Sequence, residues 1–228
     1  MMSHQSMESV VDRAADRPLL ANDLYLLAHD RPGGSSVLAA QALNLGVAGA
    51  LLAELVLVER LNVEAGRVWV VAGQPPPDSL THEVLDELIS EPTEQTLRTW
   101  LRYLARPGQE GAARRVAQRL ARARILERQE DRGWLRTTVR YVPVDAKTGW
   151  PAVRLCQQVT SQTNPPLQDR VLVGLVNATE LTRRVFAPAY FQHPDAYVRW
   201  CVKGLPPPLR ELVDEVNRAV GKAATAPI

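Results

Sequence analysis

The longest apolar stretch of the chain is Leu43–Leu61. Leucine and alanine recur there with the 3.6-residue spacing of a helix, and apolar residues cover most of the helix circumference. Gly46 and Gly49 have no side chain, so another backbone can pack closely against them. Only Leu45–Ala53 is free of charged and strongly polar residues, whereas a membrane-spanning helix needs about 20 apolar residues. We therefore predict a buried central helix of a soluble α-helical domain, from about residue 37 to residue 60.

Breaks that contain proline or glycine divide the rest of the chain into shorter amphipathic segments. Alternating residues around Ala65-Gly66 and around Asp131-Arg132-Gly133 predict two short β-hairpins, at 61–71 and at 126–142. Asn22 is predicted to cap the first helix. Besides the central helix, helices are predicted at about 23–30, 79–91, 93–104, 109–126, 150–161, 168–185, 190–202 and 209–219.

Length and composition favour a single domain. A chain of 228 residues can bury a full core. It is 46% hydrophobic but only 5% aromatic, so the core consists mostly of alanine, leucine and valine. We predict a mainly α fold, in which a single helical domain at 18–220 surrounds the central helix and carries one or two short β-hairpins. The polar residues 1–17 are expected to form a disordered tail, and residues 221–228 are expected to fray.

The positive charge of the chain is concentrated in one segment. The net charge is only +2, which by itself predicts no polyanionic partner, but 24 of the 27 basic residues are arginine. Twelve arginines and four acidic residues lie between Arg98 and Arg140, a local balance of +8. Arginine presents a planar fork of donors that matches phosphate oxygens. The candidate ligands for an anionic head group lie on the helix predicted at 109–126 and are Arg114, Arg115, Arg119 and Arg122. The alternative is that these arginines form only the solvated face of a surface helix.

The sequence contains no motif of a known catalytic or metal site. It has no glycine-rich phosphate loop, no nucleophile elbow and no HExxH sequence. Its four histidines stand alone, and Cys156 and Cys201 do not have the spacing of metal ligands. The N-terminus lacks the apolar segment of a signal peptide. We predict a cytoplasmic protein that is not an enzyme and that needs neither a cofactor nor a metal.

A helix followed by a β-hairpin, with basic residues nearby, is also typical of winged-helix DNA-binding proteins. This order occurs twice, at 37–72 and at 109–144. No second helix rich in arginine or lysine stands out as a recognition helix, and the net charge is low for this class. Binding to nucleic acid is therefore the less favoured alternative.

The order of the segments resembles a known family. Its most recognisable parts are DLYLLAHD at 23–30, LGVAGALLAELVLVERLNV at 45–63 and RVLVGLVNATELTRRVFAP at 170–188. Between them follow Asp78-Ser79-Leu80 through Leu88, Trp100-Leu101 and Leu120–Leu126. In this order, over about residues 19–202, the chain resembles the Golgi phosphoprotein 3 family, particularly its short bacterial members.

The resemblance implies a mainly α-helical domain and a peripheral membrane protein that recognises phosphatidylinositol 4-phosphate. It also implies self-association through the hairpin at 126–142. The family's four head-group residues correspond here to Ala39, Ala48, Glu110 and Ala113, and none of the four matches. We therefore expect phosphoinositide or other anionic lipid to bind the arginines of helix 109–126, on the cytoplasmic face of a membrane. The alternatives are a cytosolic interaction scaffold without a lipid ligand and the winged-helix-like nucleic-acid binder.

Overall fold

Helices and two antiparallel hairpins alternate along the chain. The computed structural model describes residues 19–29, 34–91, 93, 95–108, 110–132, 137–144, 146–161, 163–187 and 194–225. The helices are α1 (Leu20–Ala28), α2 (Ala40–Leu57), α3 (Ser79–Ser90), α4 (Leu97–Leu104), α5 (Ala112–Arg122), α6 (Trp150–Thr160), α7 (Leu167–Ala178), α8 (Thr182–Phe186), α9 (Pro194–Lys203) and α10 (Pro207–Thr225). The strands are β1 (Leu61–Glu64), β2 (Arg67–Val70), β3 (Leu126–Arg132) and β4 (Thr137–Pro143). The predicted mainly α fold with short hairpins is confirmed.

Helix α2 is the centre of the core, as its apolar pattern predicts. Every residue from Leu45 to Leu55 is buried. Helices α1, α3, α4, α5, α7 and α10 all pack against it. Among the described residues, α2 is the one helix long and apolar enough to cross a membrane, and 67% of it is buried inside the fold. A buried core helix can be as long and as apolar as a membrane-spanning helix, so length and composition alone do not separate the two.

Two glycines let neighbouring helices approach α2 closely. A Cβ atom built at Gly46 would lie 2.5 Å from Cγ2 of Thr179, and one at Gly49 would lie 2.4 Å from Cγ2 of Val216. Side chains, rather than the predicted backbone, therefore occupy the space beside both glycines. Thr179 follows the last turn of α7 and Val216 belongs to α10, so these contacts set the distance of both helices from the core.

Local sequence signals explain where several elements begin. The Asp78 side chain caps α3 by accepting a hydrogen bond from the Thr81 N–H at 2.9 Å, and Thr96 caps α4 in the same way. Ala65 and Gly66 have φ angles of 51° and 76°. Positive φ at both central residues is the geometry of a two-residue hairpin turn, which joins β1 to β2.

Two of the predicted helices have a wrong boundary. Asn22 lies inside α1, which begins after the extended residue Leu19, so it does not cap that helix. The helix predicted at 168–185 ends at Ala178, and α8 starts afresh at Thr182. Glu180 between them has a φ of 63°, which a continuous right-handed helix does not allow.

The ends of two further helices also differ from the prediction. Helix α5 stops at Arg122, because Arg124 adopts a φ of 59° and turns the chain into β3. Helix α10 continues past the predicted end at residue 219 to Thr225, so residues 221–225 of the segment expected to fray are helical. The expected disordered tail at 1–17, the start of the helix predicted at 190–202 and residues 226–228 lie outside the described residues.

Candidate anion-binding site

Arg119, one of the four arginines proposed from the sequence, lies inside the fold. Its side chain is only 8% exposed. Nη1 lies 2.7 Å from Oδ2 of Asp78 and 3.4 Å from Oε2 of Glu54, and Nε donates to Oδ1 of Asn22 at 2.9 Å. Thr81 also donates to both carboxylates. These residues form a buried network that joins α1, α2, α3 and α5, so Arg119 is not available to a lipid phosphate.

In the buried network, burial raises the pKa values of Glu54 and Asp78, whereas the Arg119 charge lowers them. Burial raises the pKa of Glu54, although the Arg119 charge and the hydrogen bond from the Ala21 N–H oppose the rise. Burial alone would also raise the pKa of Asp78, but the Arg119 charge and the hydrogen bonds from Thr81 outweigh it and lower that pKa. The network therefore holds Asp78 ionised and makes Glu54 the carboxylate that is easier to protonate.

The other three arginines of α5 do not share one surface. Arg115 is 11% exposed and pairs with Glu87 at 2.8 Å and with Glu83 at 3.4 Å. The guanidinium carbon of Arg114 lies 5.1 Å from the centre of the Tyr141 ring on β4. Arg122 is exposed at the C-terminal end of α5. The structure therefore brings no two of the four predicted residues together as free cations.

The positions that correspond to the family's head-group residues lie just before and within α2 and at the start of α5. Ala39 is exposed immediately before α2, whereas Ala48 is buried inside it. The Ala113 N–H donates to Oδ1 of Asn44 at 3.1 Å, which ties the first turn of α5 to α2. Glu110 pairs with Arg106 at 2.6 Å. These four positions supply no cation to a ligand.

A basic cavity lies beside the first turns of α2. It has a volume of about 200 Å³, and its wall combines residues from α2, α4 and α10. We call this site the basic cavity, and its lining residues are Gln41, Leu45, Arg98, Arg102, Ala219, Lys222 and Ala223. Three of the seven are cationic and none is acidic. A cationic lining without a carboxylate suits an anion.

Arg98 is held in the wall of the basic cavity by a buried carboxylate. Its Nε lies 2.7 Å from Oε1 of Glu215, whose side chain is only 7% exposed. Arg218 pairs with the other oxygen of Glu215 at 2.5 Å. Both oxygens of Glu215 are therefore occupied. Glu211 lines an adjoining cavity together with Arg98, Glu215 and Arg218, so the charges of these four side chains balance.

Exposed aromatic surface lies at the C-terminal end of α4, on the side that faces α3 rather than the basic cavity. Tyr103 follows Arg102 at the end of α4 and is 42% exposed. The Arg106 guanidinium carbon lies 4.1 Å from the centre of the Tyr103 ring. Tyrosine combines an apolar ring with a polar hydroxyl, a combination that is enriched at membrane–water interfaces. The C-terminal end of α4 thus presents cationic and aromatic side chains together.

A larger cavity of about 570 Å³ lies between α3 and α4 and has the opposite charge. Four carboxylates line it, from Glu83, Asp86, Glu87 and Glu91. These charges repel an anion, so this acidic cavity does not serve as the head-group site.

Among the described residues, no group of three or more histidine, cysteine, aspartate or glutamate side chains is arranged to hold a metal ion.

The basic cavity was not predicted from the sequence, because its cations come from distant segments. Arg98 and Arg102 are four residues apart on α4, beside the apolar positions that the pattern identified. That spacing puts both on one side of the helix and is the signal that the sequence offers. Lys222 belongs to the segment 221–228, which was expected to fray, so nothing in the sequence placed it beside α4.

Comparison with known proteins agrees with the segment order noted above. The family model described as Golgi phosphoprotein 3 (GPP34) matches residues 20–216, which is most of the chain. None of the curated proteins matches this sequence significantly.

Proposed function

Since the chain belongs to the Golgi phosphoprotein 3 (GPP34) family, we propose that it is a peripheral membrane protein that binds anionic lipid head groups. We place its action on the cytoplasmic face of a membrane and assign it no enzymatic activity. The proposed ligands are the head groups of phosphoinositides, including phosphatidylinositol 4-phosphate, and of other acidic lipids.

The observation that carries this proposal is the convergence of Arg98, Arg102 and Lys222 on the basic cavity. Arg102 and Lys222 are exposed, and within the described residues no hydrogen bond or ion pair engages the side chain of either. Each such cation near an anionic bilayer contributes about 1 kcal/mol to binding.

The binding surface proposed here differs from the one predicted on α5. Arg119 and Arg115 are engaged by carboxylates, so Arg114 and Arg122 are the members of that set left to contribute. Arg122 stands at the far end of α5 from Ala113, which contacts α2. We therefore assign the main contact with the membrane to the basic cavity and a subsidiary role, at most, to Arg114 and Arg122.

Vesicle co-flotation tests this function. We expect the wild-type chain to float with vesicles that contain anionic lipid and not with neutral phosphatidylcholine vesicles. Binding should weaken as ionic strength rises, because salt shortens the range of the attraction. The double variant Arg102→Ala/Lys222→Ala should lose about 2 kcal/mol, or about thirtyfold in partitioning.

The matched control is Arg199→Ala/Arg210→Ala. It removes the same net charge from exposed positions on α9 and on the first turn of α10, outside the basic cavity. This control should bind like the wild type. Equal losses in both double variants would refute the assignment to the cavity. Failure of the wild type to float with any vesicle would refute lipid binding and favour the scaffold alternative.

Self-association through hairpin 126–142 stays a prediction from the resemblance. Strands β3 and β4 pair with each other from Leu126↔Pro143 to Arg132↔Thr137. Replacing the connecting residues 133–136 by a two-residue Asn-Gly turn keeps a hairpin but shortens it. Sedimentation velocity should then show a lower average mass than for the wild type, if the hairpin joins two copies.

A further inference from the structure

We propose that the basic cavity is a discrete site for a phosphomonoester group, carried either by a lipid head group or by a soluble phosphate ester. The inference deepens the membrane function proposed above, and it rests on that function for the lipid source of the ligand. It concerns residues outside the four positions where the family resemblance places the head group, since none of these lines the cavity.

The first argument is the set of donors that remains free. Arg98 uses Nε to bind Glu215, and no described contact uses its Nη1 or Nη2 atom. A guanidinium has five N–H donors, so four remain for a ligand. Arg102 and Lys222 add eight more, which gives the cavity many donors and no competing carboxylate in its wall.

The second argument is the rigidity of Arg98. Glu215 is buried, and its other oxygen is occupied by Arg218, so the carboxylate that orients Arg98 is itself fixed. An arginine held in this way loses little conformational freedom when it binds a ligand. Such preorganisation is a property of a specific site and is not needed for diffuse attraction to a charged bilayer.

The third argument is size. A volume of about 200 Å³ is smaller than the roughly 300–1,000 Å³ of pockets that bind drug-sized molecules. Ala219 and Ala223 form part of the wall, and their short side chains leave this space open between α10 and α2. The cavity therefore fits a phosphate group with a small attached alcohol rather than a nucleotide.

The fourth argument is charge. A phosphomonoester carries about −1.5 to −2 charges at neutral pH, whereas a phosphodiester carries only one. Three cations around one small cavity favour the more highly charged group, and arginine binds its oxygens at two points. The ligand class is therefore a phosphomonoester, and ordinary diester phospholipids should bind the cavity more weakly.

Isothermal titration calorimetry with soluble probes tests the site without a membrane. We expect glycerol 3-phosphate to bind the wild-type chain at least about tenfold more tightly than dimethyl phosphate, a diester. Arg102→Ala and Lys222→Ala should each weaken glycerol 3-phosphate binding about tenfold, the loss expected for a charge-assisted hydrogen bond. The control Arg210→Ala removes one cation from the same helix as Lys222, about 18 Å away, and should leave binding unchanged. Arg98 is left intact, because it is one of the two cations that pair with the buried Glu215, and its removal would endanger folding.

Vesicles provide the lipid arm of the test. Phosphatidic acid presents a phosphomonoester and phosphatidylglycerol a diester, so the two are compared at equal surface charge. Tighter binding to phosphatidic acid, lost in Arg102→Ala, supports a lipid source. Binding of glycerol 3-phosphate without flotation supports the site with a soluble ligand, although the membrane function then fails. Equal affinity for monoester and diester in both arms, or full binding by Arg102→Ala and Lys222→Ala, would overturn the inference even if anionic vesicles bind.

Discussion

Nη1 of Arg119 lies 2.7 Å from Oδ2 of Asp78, and both side chains are largely buried. The same aspartate caps α3 through the Thr81 N–H, so one carboxylate fixes the start of a helix and anchors an arginine of α5. Glu54 of α2 completes the contact from the core side. Arg119 therefore stabilises the fold.

Removal of Arg119 should destabilise the protein strongly. We expect Arg119→Ala to lower the free energy of unfolding by about 3–5 kcal/mol, because it leaves Glu54 and Asp78 buried without their cation. The exposed Arg122, three residues along α5, is the matched control, and Arg122→Ala should change stability by less than about 0.5 kcal/mol. Urea unfolding followed by circular dichroism measures both. Similar values for the two variants would show that the buried network does not hold the helices together.

Glu54 should make stability depend on pH. Burial raises its folded-state pKa above the ordinary value of 4.5. The folded chain then binds this proton more tightly than the unfolded chain, so the free energy of unfolding falls as pH rises from about 4.5 through the folded-state pKa. Glu54→Gln has no such proton to lose. We expect the stability of the variant relative to the wild type to increase with pH over that window.

Urea unfolding at a series of pH values between about 4 and 8 measures this difference. The difference in stability between Glu54→Gln and the wild type has two parts. A part that does not change with pH comes from the altered hydrogen bonds of the amide, and the slope with pH comes from the titration of Glu54. A flat difference would mean that the pKa of Glu54 is the same in the folded and unfolded chains. A decreasing difference would mean that the Arg119 charge outweighs burial.

Gly49 and Val216 should show coupled effects on stability. A helical glycine is normally about 1 kcal/mol less favourable than alanine. At position 49, however, the added Cβ would lie 2.4 Å from Val216, and overpacking of this kind costs about 1–3 kcal/mol. We expect Gly49→Ala to destabilise the wild type but to stabilise the Val216→Ala background, where the obstructing methyl group is absent. A double-mutant cycle by thermal unfolding checks the reversal, and an effect of the same sign in both backgrounds would contradict the proposed contact.

Most of the fold could be predicted from the sequence, because the main signals for its helices and turns are local. The apolar period of α2, the cap at Asp78 and the turn at Ala65-Gly66 each lie within a few neighbouring residues. The helix ends at Glu180 and Arg124 could not be predicted, since both are non-glycine residues that adopt positive φ. Backbone hydrogen bonds close both helix ends: the Leu181 N–H donates to the Val176 carbonyl, and the Ile125 N–H donates to the Leu120 carbonyl. Glycine usually occupies the positive-φ position of this motif, so glutamate and arginine there gave no sequence signal.

The candidate site was predicted much less well than the fold. The sequence grouped Arg115 and Arg119 with the exposed Arg122 because all are arginines of one helix. The structure instead pairs Arg119 with Glu54 and Asp78, which are 65 and 41 residues away. Likewise Lys222 joins Arg102 only through the packing of α10 beside α4 and α2. Charge patterns along one helix do not show which cations are neutralised by distant carboxylates.

The most direct test of the account compares two charge reversals in the same vesicle-flotation assay. Arg102→Glu/Lys222→Glu changes the basic cavity, whereas Arg114→Glu/Arg122→Glu makes the same change of charge on α5. We expect the first variant to lose binding to anionic vesicles and the second to keep most of it, with both folded by circular dichroism. The reverse order would contradict the assignment of membrane binding to the basic cavity and return it to the arginines of α5.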